Sequence, residues 1–206
     1  SAEFSCSADG GGDITNSEYF APASCINTTY AIQRTITTSI TNNSGSPVYM
    51  DMWLNVNSIG SGLAASNYFK YALTTTALTQ ASQCSNASLG ANNAVVSYGT
   101  FKDDMVTEGN VTKLPILEGA TQNSTYYLYI WLDAAETDLA TMNQSVNLTL
   151  GGVCTNEGET TPTLPANSVY SKIVSDNNPT TYTTIATGEN SNIYDNETFM
   201  VLGSTI

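Results

Sequence analysis

The chain is 206 residues long, 41% apolar and only 11% charged, and its 5 Lys+Arg against 18 Asp+Glu leave a net charge of −13. That balance repels phosphate and excludes a nucleic-acid binder, and the composition lacks the Glu, Lys, Ala and Leu pattern of a coiled coil. The absence of histidine removes Ser-His-Asp and Cys-His nucleophile systems, imidazole metal ligation and imidazole acid–base catalysis. No enzyme, metal or cofactor is expected. A carboxylate-pair glycosidase remains formally open, although no pair is singled out by its surroundings.

The predicted elements are mostly strands. From Thr29 to Thr41, Tyr30, Ile32, Ile36 and Ile40 share one parity with Thr and Gln between them, which is the period of a strand. Asn42-Asn43-Ser44-Gly45-Ser46-Pro47 is a turn cluster. Next, Val48, Met50, Met52, Leu54 and Val56 line one face, with Tyr49, Asp51, Trp53 and Asn55 on the other. The two runs read as a long antiparallel hairpin. Residues 63–79 are mixed: Leu63-Ala64-Ala65 suggests a helical turn, and the alternation about Tyr68, Lys70 and Ala72 a strand. Val95–Phe101 and Leu114–Leu117 read as short strands, with Pro115 marking an edge or an irregularity. Tyr126–Asp133 is the clearest strand, with Leu128, Ile130 and Leu132 opposite Tyr127, Tyr129 and Trp131. Asp133–Met142 has helical density and predicts one short helix; Val146, Leu148 and Leu150 predict a further strand running to Gly151-Gly152 and Cys154. Short strands joined by Gly/Asn/Ser turns predict an all-β, immunoglobulin-like or pilin-like β-sandwich head over residues 1–154.

Residues 155–166, with Pro162, Pro165 and Thr/Glu clusters, have linker composition. Residues 167–206 are too few for an independent core. Their β-like pieces, Val169–Val174, Tyr182–Ala186 and Phe199–Ile206, make an extended strand-forming tail whose last piece is apolar on both faces.

Cys6, Cys25, Cys84 and Cys154 show no CxxC spacing. Even number and wide spacing predict two disulfides in an oxidising compartment. Three connectivities are open. Cys6–Cys25 with Cys84–Cys154 is the expected one, a local staple plus a clamp on the main body. The chain opens on Ser1 without Met or a charged, apolar leader, so a removed secretory signal and an extracellular location are expected. No apolar stretch approaches the ~20 residues of a membrane span.

Asn-X-Ser/Thr occurs at Asn27, Asn42, Asn86, Asn110, Asn123, Asn143, Asn147 and Asn196. Asn42 falls in the predicted turn, and Asn147 lies between inward-facing Val146 and Leu148, hence outward. Asn110, Asn123 and Asn143 fall in loop-like stretches. Covalent N-linked sugar is expected at several of these positions. Lys70, in Asn67-Tyr68-Phe69-Lys70-Tyr71, either snorkels its ammonium to water or forms an isopeptide bond with a neighbouring Asn. Tyr49 with Trp53, and Tyr127 and Tyr129 with Trp131, alternate along strands, which favours covering a second sheet face over stacking on sugars. The acidic surface suits solubility or an acidic exterior, where few ion pairs remain to be lost by titration.

Tyr126-Tyr127-Leu128-Tyr129-Ile130-Trp131-Leu132-Asp133, followed by Asn147-Leu148-Thr149-Leu150, resembles secreted β-sandwich fibre subunits of prokaryotic surfaces, including camelysin-type biofilm fibres. The Thr/Asn richness, sequons, four cysteines and tail make the whole chain similar to archaeal thread filament subunits. That resemblance implies a heavily glycosylated cell-surface pilus built by donor-strand complementation, similar in plan to bacterial type I pili. In the bacterial plan the donor is N-terminal, whereas here the separable tail is C-terminal. Its apolar residues Phe199, Met200, Val201, Leu202 and Ile206, within 197–206, are the candidate donor strand.

The expected function is therefore that of a structural subunit, polymerising head to tail with identical subunits and serving adhesion or biofilm formation. The alternatives are a monomeric cell-surface module that binds glycans or cells, and an S-layer or sheath component.

Overall fold

Alternating β-branched and polar residues produce the strands, and the parity of each strand decides which side it buries. The computed structural model describes residues 4–10, 20–43, 48–108, 111–118, 123–156, 171–175, 182–187 and 199–201. Nine strands form the head: β1 (Phe4–Asp9), β2 (Ile32–Asn42), β3 (Val48–Ile59), β4 (Phe69–Thr74), β5 (Val95–Thr100), β6 (Val106–Glu108), β7 (Val111–Glu118), β8 (Asn123–Leu132) and β9 (Val146–Asn156). Short helices α1 (Ser61–Ala65), α2 (Asn86–Ala91) and α3 (Phe101–Asp104) fill the connections. Three tail strands follow: β10 (Ser171–Ser175), β11 (Tyr182–Thr187) and β12 (Phe199–Val201).

The first sheet has the order β1-β2-β8-β4-β5, antiparallel throughout. In the second, β3 is central: β9 pairs along nearly its whole length, β7 pairs with its middle, and β6 lies beyond β7. The tail strands join this second sheet. β10 pairs with the start of β3, β11 with β10, and β12 with β9. The sheets stack face to face. Ile32, Ile36, Ile40, Leu128 and Ile130 of the first meet Met50, Leu54, Leu148 and Leu150 of the second in one buried cluster. Each such side chain contributes about 1.5–3 kcal/mol by leaving water. The all-β sandwich follows from the same inward parities that the sequence shows.

Three expectations are corrected. β2 and β3 do not form a hairpin: β2 pairs with β1 and β8, and β3 with β7 and β9. Their apolar faces meet across the core instead of their edges meeting in one ladder. The stretch Asp133–Met142 is not one helix. It is a turn-rich loop with a single 3-10 turn at Leu139–Thr141, begun by the Asp138 carboxylate, which accepts from the Ala140 N–H at 2.9 Å. A short acceptor side chain of this kind competes with helical hydrogen bonds. Tyr30 lies outside the strand, because the Asn27 amide oxygen accepts from the N–H groups of Thr29 (2.9 Å) and Tyr30 (2.8 Å) and closes a turn. The irregularity at Pro115 is present: Met52 pairs with Leu117 and Trp53 with Pro115, so Ile116 is the extra residue of a bulge.

Candidate functional site

Both cysteine pairs differ from the expected connectivity. All four cysteines are bonded, as Cys6–Cys154 and Cys25–Cys84, with Cα separations of 6.0 and 5.7 Å. Cys6 points into the core from β1 and Cys154 from β9, so they meet where the two sheets run side by side. Cys25 cannot reach Cys6, because it belongs to a second cluster on the opposite face of the first sheet.

That second cluster is built on Ala72, Tyr129 and Trp131, which project outward from β4 and β8. Two irregular stretches cover them, one around Cys25 and one running from Leu78 through Cys84 to Leu89, and the Cys25–Cys84 bond joins the two. The Leu78 N–H donates to the Tyr129 hydroxyl at 2.7 Å, and burial pushes the Tyr129 phenol above its ordinary pKa. Trp131 is 0% exposed and Tyr129 3%, so these rings cover a second sheet face, as their alternation predicts, and offer no stacking surface for an external sugar. Trp53, on the outer face of the second sheet, lies against Gly151 and under the Lys113 ammonium, 4.7 Å from its ring centre. Lys70 is buried beside Asp133, with Nζ 3.6 Å from Oδ1. Its ammonium is paired with a carboxylate.

The two ends of the sandwich differ. At one end β2 stops at Asn42 and β3 starts at Val48, paired with Asn156, so the chain leaves the head here. At the other end the loops after Ile59 and Leu132 gather around Phe20, which packs edge-on against Phe69 at 4.8 Å. The Glu136 carboxylate accepts from the Ser66 hydroxyl at 2.5 Å and ties these loops together. A groove of about 450 Å³ opens between Phe20, Tyr30, Leu132, Leu139, Met142 and Asn143. Tyr30, Leu139 and Met142 are 45, 76 and 58% exposed. Periodicity could not reveal this groove, because its rim lies in loops.

The sheet edge on which the last described strand lies is that of β9. On the side away from β3, the described residues supply only Phe199, Met200 and Val201, opposite Val153, Gly152 and Gly151. Leu202 and Ile206 lie outside the described residues, as does the linker beyond Asn156.

The sequon asparagines fall into three groups. Asn86, Asn123 and Asn143 are exposed; Asn27, Asn42 and Asn147 are half-buried; Asn110 and Asn196 lie outside the described residues. Asn147 does face away from the core, and its amide oxygen accepts from Asn57 Nδ2 at 3.0 Å. Among the described residues no group of three or more His, Cys, Asp or Glu side chains gathers as metal ligands do, and no helix is long and apolar enough to cross a membrane. The sequence matches no model of a known protein family, and no curated protein matches it.

Proposed function

We propose that this chain is the structural subunit of an extracellular filament, polymerising head to tail by strand addition and serving adhesion or biofilm formation. The observation that carries the reading is the seat of Phe199–Val201 on the outer edge of β9. An edge strand presents unpaired N–H and C=O groups, and a strand that fills such an edge within one chain fills it equally well from a second copy. The exchange is a swap at the same register. More than forty residues separate Asn156 from Phe199. Within them β10 pairs with β3 and β11 with β10, so a swap carries the last strand over either on the residues after Thr187 or with the whole tail. Burying four or five apolar side chains of residues 197–206 on a neighbouring head would supply roughly 6–15 kcal/mol before ordering costs, and each backbone bond would add about 0.5–1.5 kcal/mol. Because donor and acceptor are different surfaces of one subunit, a one-way exchange repeats head to tail and yields a fibre where successive rotations do not close into a ring. The two disulfides suit the oxidising exterior where such a fibre would stand.

The test is deletion of residues 197–206. The truncated protein should form no fibres in negative-stain micrographs, and a synthetic peptide of those residues should bind the head and raise its Tm. Normal fibres from the truncated chain would reject the C-terminal donor; Ser1–Asn16 does not inherit the role, because β1 within it is bonded to its own head through Cys6–Cys154.

A further inference from the structure

We propose that the sugar attached to Asn143 folds back over the groove beside it and forms part of the packed surface of the head. The inference rests on reading the chain as a secreted glycoprotein, and it goes further by naming one asparagine and the surface that receives its sugar.

Three of the large apolar side chains that are exposed among the described residues, Tyr30, Leu139 and Met142, surround this one groove. Scattered exposed apolar residues are ordinary, whereas clustered ones mark a surface that something covers. Phe20 and Leu132 form a floor that is 5% and 1% exposed. The volume, about 450 Å³, falls in the range of clefts that hold small ligands. A pyranose ring matches such a site. Its C–H-rich face lies against aromatic and aliphatic side chains, and its hydroxyls remain at the wet rim beside Asp138.

Asn143 lines the groove and carries the sequon Asn143-Gln144-Ser145. It is exposed, with φ at 55°, in the left-handed region that asparagine tolerates better than most residues. Its side-chain amide makes no hydrogen bond to any described residue, so it is accessible to a transferase. Asn27 is three residues from Tyr30 in sequence but does not line the groove. The next residue, Gln144, accepts from the Gly62 N–H at 3.0 Å and anchors the sequon to α1. Attachment joins Asn143 Nδ2 to C1 of the sugar. The lipid phosphate of the sugar donor departs, and the amide proton passes to a base of the transferase. Once tethered, the sugar needs little intrinsic affinity, because its local concentration is in the millimolar range.

The experiment uses the full chain purified from its native host. Glycopeptide mass spectrometry reads occupancy at Asn143, and NMR with labelled Tyr and Met reads contact. The expected result is a set of nuclear Overhauser contacts from sugar protons to the Tyr30 ring and the Met142 methyl. Ser145→Ala removes the sequon while keeping Asn143 in its backbone conformation. It should abolish those contacts and raise binding of an apolar dye several-fold, whereas Asn86→Gln should change neither. An unmodified Asn143 in native protein would fail the glycoprotein reading at this position. An occupied Asn143 without contacts to Tyr30 or Met142, and with dye binding unchanged in Ser145→Ala, would overturn the proposal while leaving the glycoprotein reading intact. Equal self-association through this groove in both forms would also overturn it, and would assign the groove to a second copy.

Discussion

The head holds two apolar clusters that share the same sheet and differ in how they are made. The main one lies between two ladders, and nearly every side chain in it comes from a strand. The smaller one has a sheet on one side only, and its other side is loops, a 3-10 turn and the short helix α2. A cover of that kind has few ladder hydrogen bonds to hold it. Its order depends on Trp131 beneath it and on the Cys25–Cys84 bond across it. Local stability follows the density of buried contacts and protected hydrogen bonds, so the two regions should open separately.

The largest effect is expected from breaking the main cluster's bond. Replacing Cys6 and Cys154 with Ser removes a crosslink spanning 148 residues, worth about 5 kcal/mol in the chain-entropy picture. Denaturant melts should show one cooperative transition shifted by that order. Replacing Cys25 and Cys84 removes a crosslink spanning 59 residues, worth about 4 kcal/mol by the same reasoning. Here the loss should appear first as faster hydrogen exchange in residues 78–91, with the ladder of β2 on β8 still protected. Simultaneous loss of protection in both places would mean that the cover and the sandwich are one unit.

A smaller effect sharpens the contrast between the two outer faces. A Cβ on Gly151 would come 2.7 Å from Trp53 Nε1 and 2.8 Å from Asn55 Nδ2. Gly151→Ala should therefore cost about 1–3 kcal/mol as overpacking, read as a lower Tm with the near-ultraviolet signal of Trp53 altered. An unchanged Tm would show that the outer face of the second sheet yields where the first sheet's does not.

The smallest effect is electrostatic. Asp104 accepts from the Tyr71 hydroxyl at 2.7 Å, and burial, with Asp103 adding to it, holds its carboxyl above the ordinary value. The other charge on α3, Lys102, is engaged by Asn67. A raised carboxyl pKa means that the folded state binds the proton more tightly. This group's favourable contribution is then full below the unfolded pKa and is lost as pH rises through the folded one. Asp104→Asn should gain stability relative to the parent at pH 7 and lose that gain near pH 3. The phenol of Tyr129 behaves in the same sense at the alkaline end. Its contribution is present below the ordinary tyrosine pKa and lost above its raised one, so alkali should loosen the cover first.

Strand parity was readable because it depends on neighbours in sequence. Ile36, Leu54, Leu128 and Leu148 face the core as their alternation predicts, and Trp131 and Tyr129 face the other way into a second cluster. Strand partnership was not readable. The same alternation in β2 and β3 fits edges meeting or faces meeting, and the choice lies with β8 and β9, far along the chain. The cysteines failed for the same reason: spacing says nothing of which face of a sheet each one occupies. β1 carries the same alternation, Phe4, Cys6 and Ala8 against Ser5, Ser7 and Asp9, in a run of six mostly small or polar residues too weak to stand out. The groove at Tyr30 and Met142 left no periodic signal, since loops bring its residues together.

The bond between Cys6 and Cys154 also sets an order of events whenever the chain enters an oxidising compartment from its N-terminus onward. β1 emerges early, yet the thiol it carries has no partner until β9 is outside. The ladders join β2 to β8 and β3 to β9, and pairings of such sequence separation form slowly. Cys25 and Cys84 become neighbours about seventy residues sooner. Their bond can close over a half-delivered sheet, while Cys6 stays reduced and open to mispairing with either of them. A chain delivered in that order needs its one early thiol protected until the last strand of the head arrives.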